Sequence, residues 1–170
     1  MEHAHHHPAG SPHQHGGSTS LNRMAFMATL HCLAGCAIGE IAGMVIGTAL
    51  GWSNAATIGL AVVLAFLSGF ALTALPLLRA GLAPGTAARV AVAADAVSIT
   101  VMEVVDNAVM MVIPGAMDAS LATALFWLSL AGSLGIAALV VFPVNRWLIA
   151  RGRGHALAHG PSPADPKRHT

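Results

Sequence analysis

Four long apolar stretches, separated by short polar connections, dominate the pattern of hydrophobic and polar positions along this 170-residue chain. They cover residues 23–50, 55–78, 88–113 and 121–149. Each holds about 20 or more mainly apolar residues, enough for an α-helix to cross a hydrocarbon core roughly 30 Å thick. The connections are rich in Gly, Pro and Asn, which end helices and turn the chain. The pattern predicts an all-α membrane protein with four transmembrane helices arranged as two tandem hairpins.

Two polar tails flank the predicted membrane domain of residues 23–153. Residues 1–22 combine histidines with Gly, Pro and Ser and have no apolar period, so we predict a disordered tail. Neutral imidazole is the commonest metal ligand, so this tail is a candidate for gathering metal, and a solvated tail without that role is the alternative. Its histidines are His3, His5, His6, His7, His13 and His15. Residues 154–170 are predicted to form a second disordered tail.

Composition and charge placement fix the class of protein and its orientation. The chain is 55% hydrophobic and 9% charged, whereas soluble domains are about 25% charged. With four spans, all eight basic residues fall on the side that holds both tails and the middle connection. The positive-inside rule therefore predicts a multi-pass protein of the bacterial cytoplasmic (inner) membrane with both termini cytoplasmic. The lipid bilayer is the expected partner, and no basic stripe suggests nucleic acid.

Small residues recur every four positions along the first predicted helix. They are Gly35, Gly39, Gly43 and Gly47. Overlapping GxxxG steps allow close helix approach, so we predict glycine-zipper packing of this helix. The expected neighbour is the third helix or the first helix of another subunit. An assembly face of this kind, together with the small number of helices, predicts a homo-oligomer.

The same helix carries a stripe of polar and sulfur-containing side chains next to the glycines. His31, Cys32, Cys36, Glu40 and Met44 follow one another at spacings of one or four residues. Residues four apart lie on one helix face. A carboxylate in hydrocarbon costs several kcal/mol unless it is protonated, paired or bound to an ion. We therefore interpret the stripe as functional.

The third predicted helix carries three acidic residues, too many for a helix that faces lipid. Counted at about 1.5 Å per residue from the cytoplasmic ends of the helices, Cys36 falls level with Met102. Glu40 falls level with Glu103 and Asp106. Further polar or thioether side chains on this helix are Asp95, Asn107 and Met110. The ligands are thus predicted to form tiers across the bilayer, as stepwise ion passage requires.

Together these side chains predict an intramembrane cation site. Cys, His and Met suit copper or zinc, and carboxylates suit harder ions or protons. The predicted metal ligands are His31, Cys32, Cys36, Glu40, Met44, Met102, Glu103 and Asp106. The predicted ion path or proton relay contains Asp95, Asn107 and Met110. The alternative is a set of protonated acids hydrogen-bonded to Ser, Thr and Asn across the helices.

Several motifs resemble a family of small bacterial four-helix membrane proteins of undefined function, over about residues 24–155. The resemblance implies four membrane helices and supplies neither an activity nor catalytic residues. The motifs are His31-Cys32-x3-Cys36-x3-Glu40, Met102-Glu103-x2-Asp106-Asn107, Pro114-Gly115-Ala116-Met117, Phe126-Trp127 and a closing Pro143-Val144-Asn145-Arg146-Trp147-Leu148-Ile149-x-Arg151-Gly152-x-Gly154-His155.

Three functions compete. The first is transport of a transition-metal cation, copper or zinc. The second is a metal-binding accessory, such as a chaperone, sensor or assembly factor, and the third is a proton or small-cation relay. An enzyme is not expected, because GxSxG and HExxH motifs are missing. A thiol oxidoreductase is disfavoured because Cβ atoms four residues apart on a helix are about 5–6 Å apart, too far for a disulfide.

Overall fold

A computed structural model of the chain describes residues 16–151. The six tail histidines at positions 3–15 and residues 152–170 lie outside this range, so the predictions about them are not addressed by it. Within the described range the chain forms four long helices, one short 3₁₀ turn and no strand, which confirms the predicted all-α architecture. The elements are α1 (Gly16–Ala49), α2 (Asn54–Arg79), α3 (Pro84–Val112), the 3₁₀ turn (Ala116–Asp118) and α4 (Ala124–Ala150).

Local sequence explains where three of the helices begin. The hydroxyl of Ser53 caps α2 by accepting a hydrogen bond from the Ala56 backbone N–H at 3.4 Å. Thr123 caps α4 in the same way from the Phe126 N–H at 3.4 Å. Pro84 opens α3, where its missing N–H costs nothing.

Three helix starts differ from the sequence prediction by three residues or more, among them that of α3, which begins at Pro84 rather than at residue 88. Helix α1 begins at Gly16 rather than at Arg23, so part of the predicted disordered tail is helical. Its added turns reach the end of α4, where the Arg146 Nε donates to Asn22 Oδ1 at 2.7 Å. Helix α4 begins at Ala124 rather than at residue 121, because the Thr123 hydroxyl donates to the Ser120 carbonyl in a preceding turn.

The helices pack in chain order as a ring. Each helix contacts its sequence neighbours, α4 closes the ring against α1, and α1 also approaches α3 across the centre. The short connections make neighbouring helices antiparallel. The most deeply buried side chains on the axis include Cys36, Ile99, Met102 and Val141. All four helices contribute to this core, with the buried sulfur atoms on α1 and α3 and most of the buried apolar side chains on α4.

The glycine face of α1 packs on α2. A Cβ added to Gly35 would lie 2.7 Å from the Gly69 Cα, and one added to Gly39 would overlap the backbone of Ala65. Gly43 and Gly47 likewise face α2, at Ala61 and Thr57. The expected neighbour, α3 or another subunit, was wrong, because small residues also recur every four positions on α2 and let the two backbones meet. The glycines therefore offer no face for oligomer assembly.

The outer surface is strongly apolar, as a membrane protein requires. Large side chains point away from the bundle, among them Leu67, Leu128 and Leu139, which are 58%, 72% and 76% exposed. Three helical segments are long and apolar enough to cross a membrane: Thr19–Ala49, Asn54–Arg79 and Ala124–Ala150. Helix α3 has a comparable length, but its acidic residues interrupt its apolar run. We therefore treat the chain as a membrane protein.

A Gly39→Ala substitution is expected to lower the free energy of unfolding by about 1–3 kcal/mol, because the new methyl group would force α1 and α2 apart. Gly59→Ala is the matched control, since a Cβ at that helical position meets nothing within 4 Å. Alanine favours a helix over glycine by about 1 kcal/mol, so the control should be neutral or more stable. Thermal unfolding in detergent measures both variants. Equal behaviour of the two would refute the close contact.

Candidate functional site

A cavity of about 390 Å³ opens at one end of the bundle. We call this the loop end, since it carries the connections of residues 50–53 and 113–123. The carboxyl groups of its wall come from α1 and α3, further polar groups come from α2 and the second connection, and Phe126 and Leu130 of α4 contribute apolar wall. The polar and thioether residues that line it include Glu40, Met44, Asn54, Glu103, Asp106, Asn107, Met110, Met117, Asp118 and Ser120.

Three carboxyl groups at the wall of the loop-end cavity carry buried oxygens that have no hydrogen-bond partner in the described range. Glu40, Glu103 and Asp106 are only 6%, 5% and 4% exposed. Both oxygens of each glutamate and the Oδ1 of Asp106 are buried and accept no hydrogen bond from any described residue. Buried polar groups are normally paired, and an isolated buried charge is far more costly. This cluster therefore needs protons or a bound cation to be tolerated.

The polar groups beside the carboxyl cluster, which include the Cys36 thiol near Glu103 and the Ser133 hydroxyl near Asp106, leave five of its oxygens without a hydrogen bond. The Asn107 amide donates to the backbone carbonyl of Glu103 at 2.9 Å, and the Ser133 hydroxyl donates to the Leu130 carbonyl at 3.1 Å. Both donors are used on helix backbone, as is common for such side chains inside helices. The three carboxyl groups are instead nearest to one another, since Glu40 lies beside both Glu103 and Asp106.

Buried sulfur and apolar side chains lie farther along α1 and α3, between the carboxyl groups and the opposite end of the bundle. Cys36 and Met102 are fully buried, and Ile99 packs with them in the core. Cys36 lies between Cys32 on one side and the carboxyl group of Glu103 on the other. Both thiols are free and buried. A thiol is thus the first group that a species leaving the carboxyl cluster toward the core would meet.

A second and larger cavity, of about 780 Å³, opens at the opposite end, where α1 begins and α4 ends. We call this the tail end. All four helices contribute to its wall, which is mainly apolar. The polar and sulfur-containing side chains that line it include His31, Cys32, Thr73, Asp95, Ser98 and Asn145.

Two chains of hydrogen bonds run through the tail-end cavity wall. Thr73 donates its hydroxyl proton to the Asp95 carboxyl group, so His31, whose Nε2 lies 2.9 Å from the same hydroxyl oxygen, must be the donor to it. In the second chain, Asn145 accepts from the Ser98 hydroxyl and donates to Thr29 Oγ1 at 2.9 Å. Unlike the carboxyl groups at the loop end, these polar groups are paired.

The predicted ligands are therefore distributed over two cavities and the layer between them. Glu40, Met44, Glu103 and Asp106 lie at the loop end with Asn107 and Met110, whereas His31, Cys32 and Asp95 line the tail end. Across residues 16–151 no three His, Cys, Asp and Glu side chains are spaced to hold one metal ion between them. The eight predicted metal ligands do not form one site.

A family described as a domain of unknown function, DUF4396, matches residues 21–154. The chain belongs to the DUF4396 family. The matched range contains all four helices, apart from the first turns of α1, and both cavities. No curated protein and no solved structure matches the chain. The DUF4396 assignment agrees with the expected resemblance to a family of undefined function and adds no activity.

Sequence reasoning assigned no role to Thr73 of α2 or Asn145 of α4, the two helices on which it predicted no site residue. Thr73 on α2 joins His31 to Asp95, and Asn145 on α4 joins α1 to α3. The available signal was periodicity: Thr73 continues the four-residue series of small buried positions that contains Ala61, Ala65 and Gly69. This series marks the α2 face that meets α1 and α3.

Thr73→Val is expected to destabilise the protein by about 1–3 kcal/mol, because it leaves His31 and Asp95 without their shared buried partner. Valine keeps the shape and removes only the hydroxyl group. Thr73→Ser, which keeps the hydroxyl group and loses a methyl group, is the control and should be the more stable of the two. Thermal unfolding of both variants in the same detergent gives the comparison. A valine variant as stable as wild type would contradict the hydrogen-bond chain from His31 through Thr73 to Asp95.

Proposed function

We propose that this protein binds a transition-metal cation at Glu40, Glu103 and Asp106 and conducts it across the membrane. The observation that carries the proposal is the set of five buried carboxyl oxygens without partners, at the wall of a cavity open to one end. Three acids buried together are unfavourable for stability, and packing does not explain them. A positive ion would supply the missing interaction.

A membrane crossing by all four helices is part of the proposal. Helix α2 ends at the tail end and α4 starts at the loop end, so α3 has to traverse the same thickness between them. Trp127 and Trp147 lie near opposite ends of α4 and are both about half exposed. Their separation of about 30 Å at 1.5 Å per residue matches a hydrocarbon core, with one ring at each interface.

The described arginines support one orientation. Arg23, Arg79, Arg89, Arg146 and Arg151 are all exposed at the tail end. Basic residues favour the cytoplasmic side, so we assign the tail end to the cytoplasm and the loop end to the outside of a bacterial inner membrane. The carboxyl cluster then opens outward, and the His31 cavity opens toward the cytoplasm.

The two cavities support a path rather than a single closed site. Glu40 lines the loop-end cavity and Cys32 lines the tail-end cavity. These residues are two helical turns apart on α1, about 12 Å at 1.5 Å per residue. Only the layer containing Cys36 and Met102 separates them. A cation crossing this layer would exchange carboxylate oxygens for the Cys36 and Cys32 sulfurs before reaching the His31 cavity.

The donor set favours a divalent ion of zinc type over Cu(I). The groups nearest to one another are carboxyl oxygens with a thiol beside them, a combination that zinc accepts. Cu(I) prefers sulfur ligands, and the thioethers of Met44 and Met110 lie farther along the same wall. The described residues contain no three donors already spaced for a metal ion. Glutamate side chains have enough rotatable bonds to move their carboxylates around an ion when it binds.

A proton or small-cation relay is the second candidate. The observation in its favour is that residues 16–151 hold no group of three donors already spaced for a metal ion. Protonated carboxyl groups would be tolerated without an ion, and the chain Asp95–Thr73–His31 would continue the relay on the other side of the core layer. A metal-binding accessory would use the same ligands but keep the core layer closed.

The test is the metal content of the purified protein by elemental mass spectrometry after loading with zinc, copper or manganese. All variants carry alanine at the six tail histidines, so that the tail does not mask the intramembrane site. We expect about one ion per chain. Glu40→Gln/Glu103→Gln removes two carboxylate ligands and should lower the affinity for the ion about tenfold or more, which corresponds to at least about 1.4 kcal/mol.

Asp118→Asn is the matched control for that experiment, because it neutralises an exposed carboxylate at the rim of the same cavity. It should retain the ion. If the tail-substituted protein binds none of the three metals, the metal proposal is wrong and the proton or small-cation relay replaces it.

A further inference from the structure

The two hairpins of the bundle differ in how they are held together. Within the first hairpin, α1 and α2 meet backbone to backbone, since added methyl groups at Gly35 and Gly39 would overlap α2. The second hairpin, α3 and α4, meets the first through longer side chains such as Ile99, Met102 and Phe126. Both cavities are lined from both hairpins. A change in the distance between the hairpins would therefore change access to the cavities without breaking the α1–α2 contact.

Side-chain hydrogen bonds that join the hairpins are unevenly distributed along the bundle. At the tail end three such bonds occur in the described range: Thr73 to Asp95, Asn145 to Thr29 and Arg146 to Asn22. At the loop end one side chain makes the connection. The Asn54 amide, at the start of α2, donates to the Asp118 carboxylate at 2.8 Å and to the Met117 carbonyl at 3.3 Å.

The hydrogen bond from Asn54 to Asp118 lies in the wall of the loop-end cavity. Asn54, Met117 and Asp118 all line that cavity, together with Trp52 and Ser120 from the same two connections. The bond is exposed, so water competes for both partners and its net strength is small. Two of the three tail-end bonds are buried or partly buried. The loop end is therefore where the hairpins separate most easily.

We propose that the hydrogen bond from Asn54 to Asp118 is a latch that holds the two hairpins together at the loop-end cavity, and that its release opens this cavity to the solvent. A cation that enters the cavity would interact with the Asp118 carboxylate in place of the Asn54 amide before it passes to Glu40, Glu103 and Asp106, so Asp118 affects how fast the ion enters and not whether the ion is held. This last step rests on the proposed function, whereas the opening of the cavity does not.

The native thiols report on the latch directly. Cys36 lies behind the carboxyl cluster, and Cys32 lines the opposite cavity. We would measure the labelling rate of each thiol by a cationic methanethiosulfonate reagent, in single-cysteine proteins (Cys32→Ser or Cys36→Ser) held in lipid nanodiscs, where both ends are accessible. Asp118→Ala removes the acceptor. Asp118→Asn keeps an oxygen acceptor for the Asn54 amide and is the matched control.

The latch predicts that Asp118→Ala raises the Cys36 labelling rate roughly three- to tenfold, the range expected for loss of one exposed hydrogen bond, and leaves Cys32 unchanged. Asp118→Asn should label at the wild-type rate. Equal Cys36 rates in the Ala and Asn variants, or a parallel rise at Cys32, would overturn the latch. If Cys36 reacts in no variant, Met44→Cys in a Cys32→Ser/Cys36→Ser background replaces Cys36 as the reporter. Cys32 in the Cys36→Ser protein remains the comparison, and the expected rates are the same.

Failure of the latch and failure of the proposed function give different results. Faster Cys36 labelling in Asp118→Ala, in a protein that binds none of the three metals, would support the latch and refute the metal proposal. Metal binding with an unchanged labelling rate would support the metal proposal and refute the latch.

Discussion

The close contact between α1 and α2 determines where the functional side chains lie. On a helix, consecutive residues are about 100° apart, and each of Cys36, Glu40 and Met44 directly follows a glycine of the series that faces α2. Once the glycine face is fixed against α2, the Cys36–Glu40 stripe is turned toward α3. There it meets Met102, Glu103 and Asp106 across the bundle axis. The carboxyl cluster, the sulfur layer and both cavities depend on this orientation.

The contact also accounts for why an unfavourable cluster can persist. Three buried carboxyl groups with five unpartnered oxygens work against stability. Backbone-close packing of α1 on α2, with paired polar groups at Thr73 and Asn145, provides a frame that does not depend on the cluster. The frame can therefore hold groups whose missing partner, in the proposed function, is a cation.

Much of this architecture was predictable from the sequence, because helix length and lateral position follow from periodicity. The four helices and the stripe through Cys36 and Glu40 are consequences of apolar length and four-residue spacing. The helix that packs on the glycine face was not predictable in this way. A GxxxG series indicates that another helix can approach closely, but it does not identify that helix. Thr73 and Asn145 were missed because an isolated polar residue on an apolar helix acquires a role only from its partners on other helices.

Flux of the ion itself tests the central claim, a cation path between the two cavities, most directly. Proteoliposomes containing the full-length protein and an internal zinc-sensitive dye would be exposed to external zinc, with Glu103→Gln as the comparison. If the protein conducts zinc, zinc should enter well above the rate of protein-free liposomes, and Glu103→Gln should lose this entry. Zinc entry no faster than through protein-free liposomes, in protein that binds zinc, would contradict transport and leave a metal-binding accessory.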